Sequence, residues 1–403
     1  MIPKGWKLLS IRDFSKVVRG ASPRPAGSPK YFNGDYIPWI TVADVTCDEG
    51  MLLTRTKSKL TQEGSKQTRI IEPDTLILTN SGATLGVPKI TTIRAGANDG
   101  IAMIIELQGA FKPYLFHFLS SKTEYLRESA APGNGQPNLN TEIIGNIVIP
   151  LPPLPEQKAI AEVLSVWDQA IEKTERLIQA KEKRLEAYGR NIFDRTQVGK
   201  HSGWKIIRLA SILDEHRHTS TGKEEVYSVS VHKGLINQIE HLGRSFSAAN
   251  TDHYNRVHYG DIVYTKSPTG DFPLGIVKQS SAQEDVIVSP LYGVFTPKTF
   301  NLGVVIDFYF SSPTRAKNYL FPIIQRGAKN TIAITNETFL SASLNLPNEK
   351  SLQREIAEYV LASRKEIDLL KKLAEKQKLQ KRGLMQKLLT GEWRVKTSRR
   401  KAQ

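Results

Sequence analysis

Residues 151–164 read L-P-P-L-P-E-Q-K-A-I-A-E-V-L, and they open the segment that decides the fold. After Pro155 no Gly or Pro occurs until Gly189. From Ile160 a seam runs through Leu164, Trp167, Ile171, Thr174, Ile178, Lys181, Leu185, Tyr188 and Ile192. The steps alternate four and three, the spacing of a helix that buries one narrow stripe against another helix. Pro155 suits a first helical turn, where its missing N–H costs nothing. Glu156 suits the positive helix start. At 1.5 Å per residue the seam spans roughly 50 Å. A rod of that length needs a partner.

The partner lies near the other end of the chain. Ile356, Val360, Ser363, Ile367, Leu370, Ala374, Gln377, Lys381, Leu384 and Leu388 repeat the same spacing, and Gly391 is placed as a helix stop. The polar seam positions Thr174, Lys181, Ser363, Gln377 and Lys381 either set register or mark solvated seam ends.

Working outward, the whole chain repeats. Residues 5–11 (G-W-K-L-L-S-I) match 203–209 (G-W-K-I-I-R-L). The strand–Gly loop–strand pattern from Asp74 recurs from Asp261, I-V-I-P-L-P (147–152) recurs as L-N-L-P (344–347), and Ile160-Ala161-Glu162 recurs as Ile356-Ala357-Glu358. A near-constant offset of this kind marks a duplication. Trp393-Arg394-Val395 echoes Trp6-Lys7-Leu8, which predicts that the C-terminal residues lie beside the start of the first globule. The connection between the helices leaves room for parallel or antiparallel pairing, and a pseudo-twofold repeat predicts antiparallel.

The expected fold is therefore α+β: two mixed α/β domains, separated by two long helices pairing as an antiparallel coiled coil. The boundaries read 1–154 for the first domain, 155–196 for the central helix, 197–349 for the second domain, and 350–403 for the C-terminal helix and tail. The pairing seam is assigned to Ile160, Leu164, Trp167, Ile171, Ile178 and Leu185, with Ile356, Val360, Ile367, Leu370, Leu384 and Leu388. Strands are expected at 37–42, 75–78, 101–106, 226–231, 262–265 and 286–296. Helices are expected at 111–126 and 305–320, the latter broken near Pro313.

The 403 residues suffice for two or three domains. A net charge of +16 and a pI near 9.6 favour a polyanionic partner, nucleic acid above all. The single cysteine, Cys47, excludes an intramolecular disulfide and a cysteine-rich zinc site. The N-terminal M-I-P-K-G-W-K has no signal-peptide core, and no apolar run reaches membrane-spanning length, so a reducing cytoplasm is expected.

With the repeat, the L-P-P-L-P-E-Q helix start and the ending K-R-G-L-M-Q-K-L-L-T-G-E-W-R-V (381–395), the chain resembles the specificity (S) subunit of a type I restriction–modification system. N-G-D-Y-I-P-W-I-T-V-A-D-V (33–45) resembles the first part of a target recognition domain in that family. The resemblance covers essentially the whole chain. It implies a non-catalytic subunit whose two globules are target recognition domains, each reading one half of a bipartite, asymmetric site in double-stranded DNA. It implies that the helices set the spacing and dock two DNA-adenine methyltransferase subunits, and that restriction subunits join through the complex. It assigns no cofactor to this chain and places S-adenosylmethionine, ATP and Mg on partner subunits. The second globule departs from the first around 217–260, which suggests a different half-site.

Catalytic motifs are missing from the sequence. It has no N-P-P-Y, D-P-P-Y or F-x-G-x-G, no phosphate loop, no nucleophile elbow and no H-E-x-x-H. His216 and His218 offer two imidazoles, but no acidic or cysteine ligand recurs at useful spacing, so no metal is expected.

Base readout needs Arg, Lys, Asn or Gln on loops, and phosphate contacts add Ser, Thr and backbone N–H groups. In the first globule the candidates are Arg19, Arg24, Lys30, Lys57, Lys59, Lys66, Arg69, Asn80, Ser81, Thr84, Asn134 and Gln136. In the second they are Arg217, His218, His232, Lys233, Arg256, Lys266, Thr269, Arg326, Lys329 and Asn330. Gly82 and Gly86 read as turn formers, and Trp39 and Trp167 as packing residues. A competing reading makes the coiled coil a protein scaffold with an incidental basic surface. The duplicated basic globules argue against it, because a scaffold needs only the rod.

Overall fold

Leu154–Phe193 is one helix, and the prolines before it fix how it starts. The Pro153 carbonyl accepts from the N–H groups of Glu156 (2.9 Å) and Gln157 (3.1 Å). The buried Gln157 side chain then ties the helix start to its globule: it donates to the carbonyls of Pro152 (2.8 Å) and Gly109 (3.0 Å) and accepts from the Phe111 N–H (2.7 Å). The second helix, Lys350–Leu389, repeats the device, with Gln353 donating to the Pro347 carbonyl at 2.9 Å. Both glutamines satisfy backbone groups that the proline-rich approach leaves unpaired inside the fold.

The computed structural model describes residues 2–129, 138–194, 203–231, 233–242, 251–326 and 332–396. The chain divides into residues 1–175 with 372–403, and residues 176–371, so each unit holds one globule and part of both helices.

In the first unit a five-stranded sheet runs, edge to edge, Lys16–Arg19, Ile101–Ile105, Leu76–Thr79, Pro88–Thr91, Leu52–Leu53. A four-stranded sheet runs Ser58–Leu60, Phe32–Ile40, Ala95–Ala97, Arg69–Ile71. Lys7–Ser10 pairs antiparallel with Val148–Leu151. The helix Lys112–Ser129 packs on the first sheet through Leu115, Phe118 and Leu119. Ile160, Ala161, Leu164, Met385, Leu388 and Leu389 enter the same core, so the start of one long helix and the end of the other belong to this globule. Residues 391–394 lie there too: Arg394 pairs with Glu156, and a Cβ on Gly391 (φ +77°) would meet Pro3 Cγ at 2.3 Å.

The second unit repeats the plan with a four-stranded main sheet. Its main sheet runs Leu213–Asp214, Gly293–Pro297, Ile262–Thr265, Ile276–Gln279. This matches four strands of the first unit's sheet in order. Trp204–Arg208 pairs with Ser343–Pro347, as Lys7–Ser10 does with Val148–Leu151. Ile356, Ala357 and Val360 join the core of this globule. The expected single strand over 286–296 is two, Val286–Val288 and Gly293–Pro297, because Ser289–Tyr292 closes a turn through Pro290. The expected helix over 305–320 starts earlier, at Phe300, with Thr299 capping Leu302 N–H at 3.1 Å. It stops at Phe310, and a new helix, Pro313–Leu320, begins with its proline in the first turn.

Within each unit the helices run antiparallel. In the first unit, Asp168 pairs with Lys381, and Glu175 with Lys378 (2.9 Å). In the second, Lys181 pairs with Glu366 (2.6 Å), Glu182 with Lys371 (2.7 Å), and the Tyr188 and Tyr359 rings sit 4.2 Å apart. Within each unit the partners run against the first helix, from 381 to 378 across 168–175 and from 366 and 371 to 359 across 181–188, as antiparallel pairing requires. Ile171, Thr174 and Ile178 are buried along the seam, whereas Trp167, Leu185, Leu370 and Leu384 are half-buried. Lys181 and Lys381 are polar seam positions that form cross-helix ion pairs, which gives register a chemical basis.

Both units place a buried titratable side chain of a globule helix against the long helices. In the first, buried His117 faces Asp168 at 3.8 Å. Burial, with Lys381 adding to it, pushes His117 down to about 3, so it is a neutral imidazole. Burial also raises the Asp168 pKa, against the pull of Lys381. In the second, buried Asp307 accepts from Arg364. The two contacts use unlike residues at matching positions.

Candidate nucleic-acid interface

In the first unit the fold gathers three arginines at one rim. Strand Lys16–Arg19 ends there, and the Arg19 Nε donates to the Asp99 carbonyl at 2.6 Å. The Arg24 guanidinium lies 3.4 Å from the Asp99 carboxylate. Arg69, on the edge strand Arg69–Ile71, donates to the Arg19 carbonyl. All three side chains are exposed. Asp99 is held in turn by Ser22, whose hydroxyl donates to its carboxylate at 2.6 Å and accepts from Asn98 at 3.1 Å.

The rim continues through Gln67, whose Oε1 accepts from Arg24 N–H at 3.4 Å, to Lys66, which pairs with Glu63 at 2.6 Å. Lys30 joins it: its carbonyl accepts from Thr61 Oγ1 at 2.6 Å, and its ammonium sits over the Tyr31 ring. Gly64 is required here, because a Cβ would meet the Tyr31 carbonyl oxygen at 2.2 Å. Five sequence candidates thus form one basic surface.

Other candidates fall elsewhere. Lys59 and the adjacent Lys57 are exposed on the strand edge opposite Arg69. Asn80 is a correction. Its side chain is fully buried, so it does not present its amide to DNA, and neither amide atom has a hydrogen-bond partner among the described residues. Its backbone explains the position, bonding Gly100 O (2.9 Å) and Leu139 N–H (2.7 Å). Ser81 is half-buried and bridged to Asn138, and Thr84 is exposed on the turn. Gly82 and Gly86 have φ of +81° and +82°, as turn formers do. Trp39 is buried edge-on to Phe32. Asn134 and Gln136 lie outside the described residues.

In the second unit Arg217, His218 and Arg256 come together, because His218 O accepts from Arg256 N–H at 2.8 Å. Arg217 is exposed with φ +53° and lies 3.8 Å from Glu215. Arg256 sits between Glu224 (3.8 Å) and Asp285 (3.9 Å) and is half-buried, so much of its charge is answered within the protein. Lys233, Lys266 and Thr269 are exposed; Lys233 precedes the turn glycine Gly234, and Thr269 closes a turn with Phe272. Arg326 is on the strand Gln325–Arg326, and His232, Lys329 and Asn330 lie outside the described residues.

Spacing shows only two of the imidazoles that the fold assembles. His216, His218 and His258 offer ring nitrogens that all lie within 4.8 Å of one another. Sequence reasoning also missed Ser22, Gln67, Asn98 and Asp99, which hold the arginine rim. Nothing in their spacing marks them, since they act through long-range contacts.

Glu224 provides a measurable electrostatic signature. Burial works against its ionisation. The Thr221 hydroxyl (2.7 Å), the Thr221 N–H (2.9 Å) and the Ser220 hydroxyl (3.1 Å) overcome this and hold its pKa down to about 2, against an ordinary 4.5. A depressed carboxylate stabilises the fold fully above its unfolded pKa and loses that contribution as pH falls through its folded one. Glu224→Gln is therefore expected to flatten stability between pH 4.5 and 2. Urea midpoints of both proteins at pH 7, 4 and 3 test this: the parent should lose more than the variant, and parallel losses would refute the assignment.

Residues 3–182 match the family described as the type I restriction modification DNA specificity domain. The specificity subunit of the MjaIX type I restriction enzyme from Methanocaldococcus jannaschii is 26% identical, over 98% of this chain and 95% of that protein. The chain is thus similar to type I restriction specificity subunits over nearly its whole length, and its residues 3–182 match the specificity-domain family. The EcoKI specificity subunit of Escherichia coli is 23% identical, over 80% of this chain and 75% of its own. Among solved structures, the type I S subunit from M. genitalium superposes with a TM-score of 0.59 at 14% identity, covering 96% of both chains. A chain from work on complex assembly and conformational transition of the type I R-M system gives 0.56 at 14%, over 98% of this chain. At these identities the structural likeness speaks for the fold. No helix among the described residues is long and apolar enough to cross a membrane.

Proposed function

We propose that this chain is the non-catalytic DNA-specificity subunit of a type I restriction–modification complex in the cytoplasm. Each globule reads one half of a bipartite, asymmetric site in double-stranded DNA. The antiparallel helices set the distance between the halves and dock two DNA-adenine methyltransferase subunits, with restriction subunits joining that assembly. S-adenosylmethionine, ATP and Mg belong to the partners. The observation that carries this reading is the duplication: two units of matching strand order, each with its own core and its own exposed basic loops, each built on part of the same helix pair.

Within this reading the rim of Arg19, Arg24, Lys30, Lys66 and Arg69 is the first unit's DNA surface. Arginines held by backbone carbonyls are pre-oriented, which lowers the cost of engaging a phosphate or a guanine edge. Lys57, Lys59, Ser81 and Thr84 are secondary contacts. In the second unit Arg217, His218, Lys233, Lys266 and Thr269 take that role.

A domain exchange tests the assignment. Replacing residues 1–150 with the equivalent segment of a relative of different specificity should change one half of the methylated motif and leave the other half intact. A change in both halves would overturn the one-globule, one-half-site assignment.

A further inference from the structure

We propose that His216, His218 and His258 form a binding site for a borderline divalent transition ion of the zinc class. The three ring nitrogens converge within 4.8 Å of one another. His218 Nδ1 and His258 Nε2 are 2.9 Å apart. Two nitrogens bound tetrahedrally at about 2.0–2.1 Å from one zinc sit roughly 3.3 Å apart. Seating the ion therefore asks that pair to open by a few tenths of an ångström and the third nitrogen, within 4.8 Å, to close by up to about 1.5 Å, which a side-chain rotation provides.

The surroundings are those of metal-binding imidazoles. Ligating histidines usually pass their second ring nitrogen to a carboxylate, which fixes the ring and raises its basicity. Here His258 Nδ1 meets Asp285 at 2.8 Å, leaving Nε2 for the ion. His216 Nε2 meets the buried Asp261 at 2.9 Å, and its Nδ1 accepts from the His218 backbone N–H at 3.1 Å, a contact at the exposed loop that the ion would replace. Asp261 is itself fixed, accepting from Thr296 Oγ1 (2.7 Å) and from His258 N–H (2.7 Å). Asp261 and Asp285 supply negative charge against the ion and against the nearby Arg256. The His216 and His218 rings are stacked with centroids 4.4 Å apart, and the His218 side chain is exposed, so a fourth position is open to water.

The site has a structural use. His216 and His218 flank Arg217, whose φ of +53° is uncommon for a non-glycine residue. His258 follows the strand Asn255–Val257. An ion shared by the three would staple this loop to the sheet and hold Arg217 outward. That last step rests on the DNA reading above; ion binding does not, and it is measured without DNA.

The test uses the full chain without an affinity tag, stripped with chelator, with Cys47→Ser as background to remove the lone thiol. Titration with Co2+ alone should give one ion per chain with an intense visible band of tetrahedral type, displaced by Zn2+. His218→Gln and His258→Gln should each abolish the band while retaining the far-UV circular dichroism of the metal-free parent. Asp285→Asn should weaken affinity about 10–100-fold. Absence of a stoichiometric band in the parent, or undiminished binding in both glutamine variants, would overturn the site. If the ion binds and Arg217→Ala leaves sequence recognition intact, the site stands and only the staple's role in DNA binding falls.

Discussion

Replacing Phe339 with alanine should destabilise the second unit by about 3–5 kcal/mol, the range for removing a large buried aromatic side chain. Phe339 is fully buried. Its ring stacks on Tyr264 (4.6 Å) and Phe295 (5.4 Å) and also meets Phe310 and Tyr319. Tyr264 and Tyr319 reach this cluster because their hydroxyls find backbone acceptors, Leu274 O (2.8 Å) and Phe339 O (2.5 Å). Truncation opens a cavity that four rings and two fixed hydroxyls cannot close. Urea unfolding, with tryptophan fluorescence reporting, measures the loss. Phe339→Leu should recover part of it. A cost below about 1 kcal/mol for the alanine variant would contradict this packing.

The second large effect concerns the chain's end. Arg394→Ala should destabilise the first unit by about 2–3 kcal/mol, because it leaves a buried carboxylate without its cation. Glu156, near the start of the central helix, is nearly inaccessible, and Arg394 engages it with two N–H groups at 2.5 and 2.8 Å. Trp6 Nε1 adds a third donor at 3.1 Å. Arg394 is almost half exposed, so the cost falls below the full value for a buried pair. The discriminating experiment is a cycle with Glu156→Gln. Removing the charge should rescue the Arg394→Ala protein, making the double variant more stable than the single one. Equal or greater destabilisation in the double variant would show that the pair acts only through packing.

Much of this architecture is legible in the chain because its signals are local and repeated. The seam spacing from Ile160 and from Ile356 specifies two helices, and Trp393-Arg394 announces where the end returns. Antiparallel pairing follows from the repeat, and the Lys181–Glu366 and Lys381–Asp168 pairs display it. The seam reading stops short in one respect. Ile160, Leu164, Ile356 and Val360 fit helix periodicity, yet they bury in the globule cores, because a stripe pattern does not say what covers it.

The candidate interface was less legible, for physical reasons. N-S-G-A-T reads as a polar turn, and it is one, but the Asn80 side chain points inward because its backbone bridges strand ends. Arg256 reads as a free cation on a polar segment; the fold places two carboxylates around it. The arginine rim depends on Asp99, about 80 residues from Arg19, and the imidazole cluster depends on His258, 40 residues from His218. Contacts at such separations are products of strand pairing and have no counterpart in local spacing.

The most direct test of the central claim is a methylome. The chain would be co-expressed with its cognate methyltransferase in an unmethylated host, and N6-methyladenine mapped by single-molecule sequencing. The account predicts a bipartite motif with a fixed non-specific gap, absent when this chain is omitted. Methylation of a continuous, symmetric motif, unchanged when this chain is omitted, would contradict it.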